Sequence, residues 1–144
     1  IDPRNAFIMY DLLKEVITNG TARKAKTLKR PDIAGKTGTT NDLMDAWFAG
    51  FNSDIVTVTW MGYDQPKSLG KKETGSRAAL PIWIDYMRPL LKDYPIKNLV
   101  KPEGIIPFKI NKKTGMTNNA DKNGLYEYFY EEYPPYDNSY FVIN

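Results

Sequence analysis

Ile33-Ala34-Gly35-Lys36-Thr37-Gly38-Thr39-Thr40-Asn41-Asp42 is the stretch on which the fold turns. Residues Ile33 to Thr39 read as a short strand, entered from Pro31-Asp32 and closed by the polar Asn41-Asp42. Asp45 to Phe51 and Ile55 to Met61 read as two further strands joined by a hairpin at Asn52-Ser53-Asp54. The reason is alternation: Val56, Val58 and Trp60 interleave with Ile55, Thr57, Thr59 and Met61. Three successive strands with short joins predict an antiparallel meander. With helices before and after it, the expected class is α+β, an antiparallel sheet with flanking helices.

The preceding helix has legible ends. Asp2 suits the cap, Pro3 the first helical position, and Gly20 is expected as a left-handed residue past the end. Ala6, Met9, Tyr10, Leu13, Val16 and Ile17 fall on one stripe at helical spacing. Ile8 and Leu12 lie off that stripe, which fits either a second contact or ordinary packing. After the strands, a Gly- and Lys-rich loop from Asp64 to Gly75 leads to a helix starting near Leu80 or Pro81. Leu80, Trp83, Ile84, Met87, Leu90 and Leu91 should be its buried side, and Asp85, Arg88 and Lys92 should face water. Pro89 should bend or end it.

The composition changes from Pro95 onward, so residues 1–94 and 95–144 are expected to be a domain portion and a partly irregular extension. Phe108 to Ile110 fits one arm of a small hairpin, and Asn118 to Gly124 a polar loop. The tail holds Tyr126, Tyr128, Phe129, Tyr130, Tyr133, Tyr136 and Tyr140. These rings are expected to wrap the domain's own sheet rather than to form a stacking surface.

With 144 residues, 42% hydrophobic and 26% charged, the chain is of ordinary globular composition and long enough to bury a core. No apolar run reaches the roughly 18 residues of a membrane span. Zero cysteines exclude disulfides and thiol chemistry, and zero histidines exclude a Ser-His-Asp triad or a His-ligated zinc within this chain. Should the chain serve acyl transfer, moving the proton falls to a lysine.

Lys36-Thr37-Gly38-Thr39-Thr40, in its setting, resembles the last motif of the penicillin-binding proteins, in the transpeptidase domain of the class A, bifunctional type. Asp45-Ala46-Trp47-Phe48-x-Gly50-Phe51, Trp60-Met61-Gly62-Tyr63-Asp64, Thr74-Gly75 and Ala79-x-Pro81-Ile82-Trp83 follow in that family's order. The resemblance covers about Ile1 to Leu91 and fades beyond, as a variable C-terminal extension would. It implies a serine acyltransferase fold and a parent that cross-links cell-wall stem peptides through a serine acyl-enzyme. The implied partners are a stem peptide ending in D-Ala-D-Ala, β-lactams and the upstream remainder of the same protein, with no cofactor.

The resemblance also implies roles. Thr37, Gly38, Thr39 and Thr40 would bind substrate on a sheet edge, where an extended peptide adds as a strand. The Thr37 and Thr39 side chains share a face and could hold one carboxylate. Gly38 leaves room for the acyl group. The Thr39 N–H would serve the oxyanion, and Lys36 would supply positive charge near the carboxylate and the serine of the middle motif. Nucleophile and base should lie upstream of Ile1, with a glycosyltransferase domain and membrane anchor further upstream, placing the parent in the periplasm or on the outer face of the inner membrane. Two other readings stay open: a segment of a D,D-carboxypeptidase or β-lactamase, or a non-catalytic module that binds cell-wall peptides.

Three further stretches are decoys. Ser68-Leu69-Gly70-Lys71 has the letters of Ser-x-x-Lys, but that chemistry wants serine and lysine one turn apart on a buried helix, and Gly70 sits in a flexible loop. Ser53-Asp54-Ile55 lacks the asparagine of the middle motif. Lys113-Thr114-Gly115 repeats the tripeptide in a setting that reads as a hairpin turn with a glycine bulge. The cations Arg23, Lys24, Lys26, Lys29 and Arg30 occur with no acid among them. Lacking interleaved aromatics, they read as a solvated connector and not a nucleic-acid site, with steering of anionic peptides or proximity to acidic lipid head groups as a weaker functional version.

Overall fold

The computed structural model describes residues 1–117 and 122–135. Helix α1 is Pro3–Thr18. Asp2 caps it as expected: its carboxylate accepts from the Arg4 N–H at 2.8 Å, and its carbonyl from the Ala6 N–H at 3.0 Å. The helix end corrects the reading of Gly20, which does not adopt a positive φ. Glycine is required there by close approach instead, since a Cβ would lie 2.8 Å from Val16 Cα. The stripe is corrected too. Ala6 and Met9 are exposed and Phe7, off the stripe, is buried, while Ile17 is buried as expected.

Strands β1 (Ala34–Thr39), β2 (Ala46–Phe51) and β3 (Val56–Met61) form the expected meander in the order β1-β2-β3, both pairings antiparallel and in unbroken register. The β2–β3 turn is held by Asn52, whose buried Oδ1 accepts from the Asp54 and Ile55 N–H groups at 3.1 and 2.8 Å. One π-helical turn, Gly75–Ala79, runs into helix α2, Leu80–Leu90. Leu80, Trp83, Ile84, Met87 and Leu91 are buried, Leu90 packs partly buried against them, and Asp85, Arg88 and Lys92 are exposed. The helix ends one residue after Pro89.

The core lies between the sheet and α2. Phe48 and Trp83 are fully buried and meet edge to face, with ring centroids 5.0 Å apart. The Trp83 indole N–H donates to the Thr57 carbonyl at 3.2 Å, so the ring buries without an orphaned donor. Gly50 lies beneath both rings, where a Cβ would come within 2.6 Å of each. On β3 the side facing α2 carries hydroxyls: Thr59 donates to the Ala79 carbonyl at 3.0 Å, and Thr57 to the Met87 sulfur at 3.5 Å. The alternate residues Val56, Val58 and Trp60 are exposed.

Arg30 does not belong to a solvated connector. The preceding residues Arg23–Leu28 form a 3₁₀ helix whose Ala25 is buried in the core. The Arg30 side chain is 8% exposed and the Asp32 side chain 0%. Arg30 donates to both Asp32 carboxylate oxygens, at 2.7 and 2.6 Å, and to the carbonyls of Leu91, Tyr94 and Pro95 at 2.7, 2.7 and 3.1 Å. The Lys97 N–H adds a bond to Asp32 at 3.2 Å. The segment after α2 is thereby pinned to the entry of β1. Burial pushes the Asp32 carboxyl up, but the bonds from Arg30 and Lys97 outweigh it and the net shift is downward, while Arg30 is raised by its bond to Asp32.

The chain divides into two compact units, Met9–Leu99 on the one hand and Ile1–Ile8 with the residues from Val100 on the other. In the second unit, β4 (Ile105–Ile110) pairs antiparallel with β5 (Leu125–Tyr130). This corrects the reading of the aromatic tail: Tyr126, Tyr128, Phe129 and Tyr130 are themselves strand residues. Tyr128 meets Phe7 edge-on at 5.0 Å, and the Arg4 guanidinium lies 4.8 Å from the Tyr130 ring centre. Tyr136 and Tyr140 lie outside the described residues, as do 118–121 of the expected polar loop.

Candidate substrate-binding strand

The Lys-Thr-Gly strand is an edge. Among the described residues β1 pairs only with β2, leaving its other side open. Thr40 N–H donates to the Asp45 carbonyl at 3.1 Å, so Thr40 and Asp45 are a hydrogen-bonded pair. Antiparallel ladders alternate, and the unbroken register then makes Gly38/Trp47 and Lys36/Ala49 the next such pairs. The backbone N–H and C=O groups of Thr37 and Thr39 therefore point to the open edge. Lys36 agrees with this: its exposed ammonium folds back to the Thr37 carbonyl at 2.9 Å.

Thr37 and Thr39 share the face that leads toward the core, opposite Phe48 and Ala46 of β2. Each hydroxyl has a neighbour from outside the strand. The Thr37 Oγ1 lies 2.8 Å from the Thr21 Oγ1, and the Thr39 Oγ1 accepts from the Gly75 N–H at 3.0 Å. Gly75 is glycine for steric reasons, because a Cβ there would collide with the carbonyl oxygens of Gly38 and Trp47. Gly38 in turn has Trp47 beside it, with a Cβ placed 3.2 Å from the Trp47 Cβ.

Thr40 stands apart from the other hydroxyls. Its Oγ1 accepts from the Asp45 N–H at 2.8 Å and donates to the Asp45 carboxylate at 3.3 Å, which also accepts from the Trp60 indole at 2.9 Å. Thr40 thus closes the β1–β2 connection, where Asp42 and Leu43 both have positive φ, 59° and 56°. The structure brings Lys36, Thr37, Gly38 and Thr39 onto one edge and turns Thr40 back to Asp45. Thr21 was not legible as a neighbour of this strand, since it stands 16 residues from Thr37 at the end of another element.

The look-alike motifs lie elsewhere. Ser68 and Lys71 are exposed in a loop without a helical turn, where Gly70 has φ 119° and Lys72 φ 69°. Lys113-Thr114-Gly115 is a tight turn: the Gly115 N–H donates to the Asn111 carbonyl at 2.9 Å, and Gly115 has φ 71°. Among the described residues no group of three His, Cys, Asp or Glu side chains could hold a metal ion, and no helix is long and apolar enough to cross a membrane.

The meander packed on α2, with Lys-Thr-Gly at its open edge, is a transpeptidase-like arrangement, and the chain is homologous over most of its length to part of the penicillin-binding proteins. It is 50% identical over 136 residues to Penicillin-binding protein 1A of Pseudomonas aeruginosa, covering 94% of this chain and 16% of that protein. To Penicillin-binding protein 1A of Neisseria lactamica it is 55% identical over 106 residues, covering 74% of this chain and 13% of that protein. The crystal structure of Penicillin-Binding Protein 1A from Haemophilus influenzae superposes with a TM-score of 0.83 at 36% identity, over 92% of this chain and 21% of that one. The chain therefore spans less than a quarter of the length of these relatives. It matches no protein-family model.

Proposed function

We propose that this chain supplies the substrate-binding edge of a peptidoglycan D,D-transpeptidase, in which a serine on another part of the parent takes the acyl group of a stem peptide ending in D-Ala-D-Ala and passes it to an amine. The observation that carries this reading is the outward direction of the Thr37 and Thr39 amides on an open strand. An extended peptide laid along β1 finds ladder partners there. The Thr39 N–H donates to the oxyanion as the serine attacks, a contribution typically worth about 3–4 kcal/mol per donor. Thr37 and Thr39 hydroxyls donate to the terminal carboxylate, Gly38 keeps the approach free of a side chain, and Lys36 adds positive charge. Thr40 acts at one remove, by fixing the end of β1 on Asp45.

Residues 1–94 are then part of the transpeptidase domain and 95–144 an extension. A β-lactam acylates the same serine. The parent works in the periplasm or on the outer face of the inner membrane, held by an anchor outside this chain, and carries a separate glycosyltransferase domain.

Denaturing mass spectrometry of the full-length protein, with and without a labelled penicillin, tests the reading. The label is expected on a serine outside Ile1–Asn144, and Thr39→Pro, which removes the amide donor, should abolish it. Label on Ser68, or none on the wild-type protein, refutes the assignment.

A further inference from the structure

The hydroxyl oxygens of Thr37 and Thr39 each meet a polar group from outside the strand. For Thr39 the group is the Gly75 N–H, which can only donate. That bond uses one lone pair of Thr39 Oγ1 and leaves its own proton to be given away. For Thr37 the group is the hydroxyl of Thr21, 2.8 Å away. Chemically either hydroxyl can donate in this pair, but a carboxylate can only accept. Once Thr37 gives its proton to a carboxylate, the bond to Thr21 survives only with Thr21 as donor.

Thr21 is flanked by residues tied to the end of α1. The Gly20 N–H donates to the Glu15 carbonyl and the Ala22 N–H to the Val16 carbonyl, at 2.9 and 3.0 Å. Ala22 is fully buried in the core, and Gly20 lies against Val16 with no room for a Cβ. The turn after α1 is thus clamped on both sides of Thr21, whose side chain reaches β1.

We propose that Thr21 is a positioning residue for the substrate carboxylate: by donating to Thr37 Oγ1 it turns the Thr37 proton toward the open edge, as Gly75 does for Thr39. This rests on the assignment of Thr37 and Thr39 to the carboxylate given above. The pair of hydroxyls then presents two oriented donors to one anion, each backed by a donor from a different element.

The test measures the second-order rate of acylation of the full-length protein by a penicillin and by its neutral methyl ester. Thr21→Val removes the hydroxyl at nearly constant shape, and Thr21→Ser restores it. The loss of one oriented hydrogen bond is worth about 3- to 10-fold. Thr21→Val is expected to slow acylation by the acid to that extent through weaker binding, to leave the ester within about 2-fold of wild type on the same scale, and to be rescued by Thr21→Ser. Equal slowing of acid and ester, or no slowing of either, overturns the role of Thr21. Thr37→Val separates this from the reading beneath it. If Thr37→Val slows the acid while Thr21→Val does not discriminate, the strand still binds the carboxylate and Thr21 is structural. If Thr37→Val leaves the acid unaffected, the carboxylate assignment itself fails and the inference falls with it.

Discussion

Replacing Arg30 by alanine should be among the most damaging single changes in this chain, and the structure sets its size. The guanidinium makes five hydrogen bonds, two to Asp32 and three to the carbonyls of Leu91, Tyr94 and Pro95. R30A leaves the fully buried Asp32 carboxylate with the Lys97 N–H as its remaining bond from outside the Arg30 pair. Removing one partner of a buried ion pair costs about 3–5 kcal/mol, because the other charge stays behind uncompensated. At roughly 4 °C per kcal/mol for a chain of this size, the thermal midpoint should fall by about 12–20 °C. Urea unfolding followed by circular dichroism gives the free energy directly, provided the slope is unchanged. R30M/D32L, which removes both charges, should recover much of the loss. The pH dependence carries the sign. In the wild type the Asp32 carboxyl is held below its ordinary value, so its contribution is complete above the unfolded value of about 3.9 and is lost as pH falls through the lower folded value. In R30A burial acts without its counterweight, the folded value rises above the unfolded one, and acidification relieves the penalty. The gap between wild type and R30A should therefore narrow below about pH 4. A loss under about 1 kcal/mol, a gap that widens on acidification, or a double variant no better than the single one would mean that the Arg30–Asp32 pair does not hold this part of the fold.

Other changes test the remaining contacts. Trp83→Ala empties the space under Phe48 and should cost about 3–5 kcal/mol in the same urea assay. Gly50→Ala drives a methyl group against Phe48 and Trp83 and should cost about 1–3 kcal/mol with no polar group disturbed. Gly75→Ala pushes the π-helical turn off the backbone of Gly38 and Trp47, so it should lower penicillin acylation of the full-length protein even where the fold survives. Lys113→Met should leave that acylation unchanged while Lys36→Met reduces it, since the second Lys-Thr-Gly is a turn.

The sequence by itself determined the local structure of this protein: the cap at Asp2, the three strands and their order, the buried side of α2, and the turn at Gly115. These follow from short-range chemistry, in which spacing, turn residues and a steric requirement at one backbone angle suffice. It also marked the candidate strand, because a run of motifs in fixed order is information the chain carries along its length. Which alternate set of β3 faces inward was not legible. Val56, Val58 and Trp60 are the more apolar set, yet Thr57 and Thr59 turn to α2, because their hydroxyls find the Met87 sulfur and the Ala79 carbonyl there. Arg30 read as one more surface cation, since nothing local announces that three carbonyls beyond α2 will surround it. Thr21 was invisible for the same reason. A hydrogen bond between residues far apart in the chain depends on where two segments are brought to rest, and only the tertiary packing, which sets Thr21 beside β1 and Arg30 beside the end of α2, decides that.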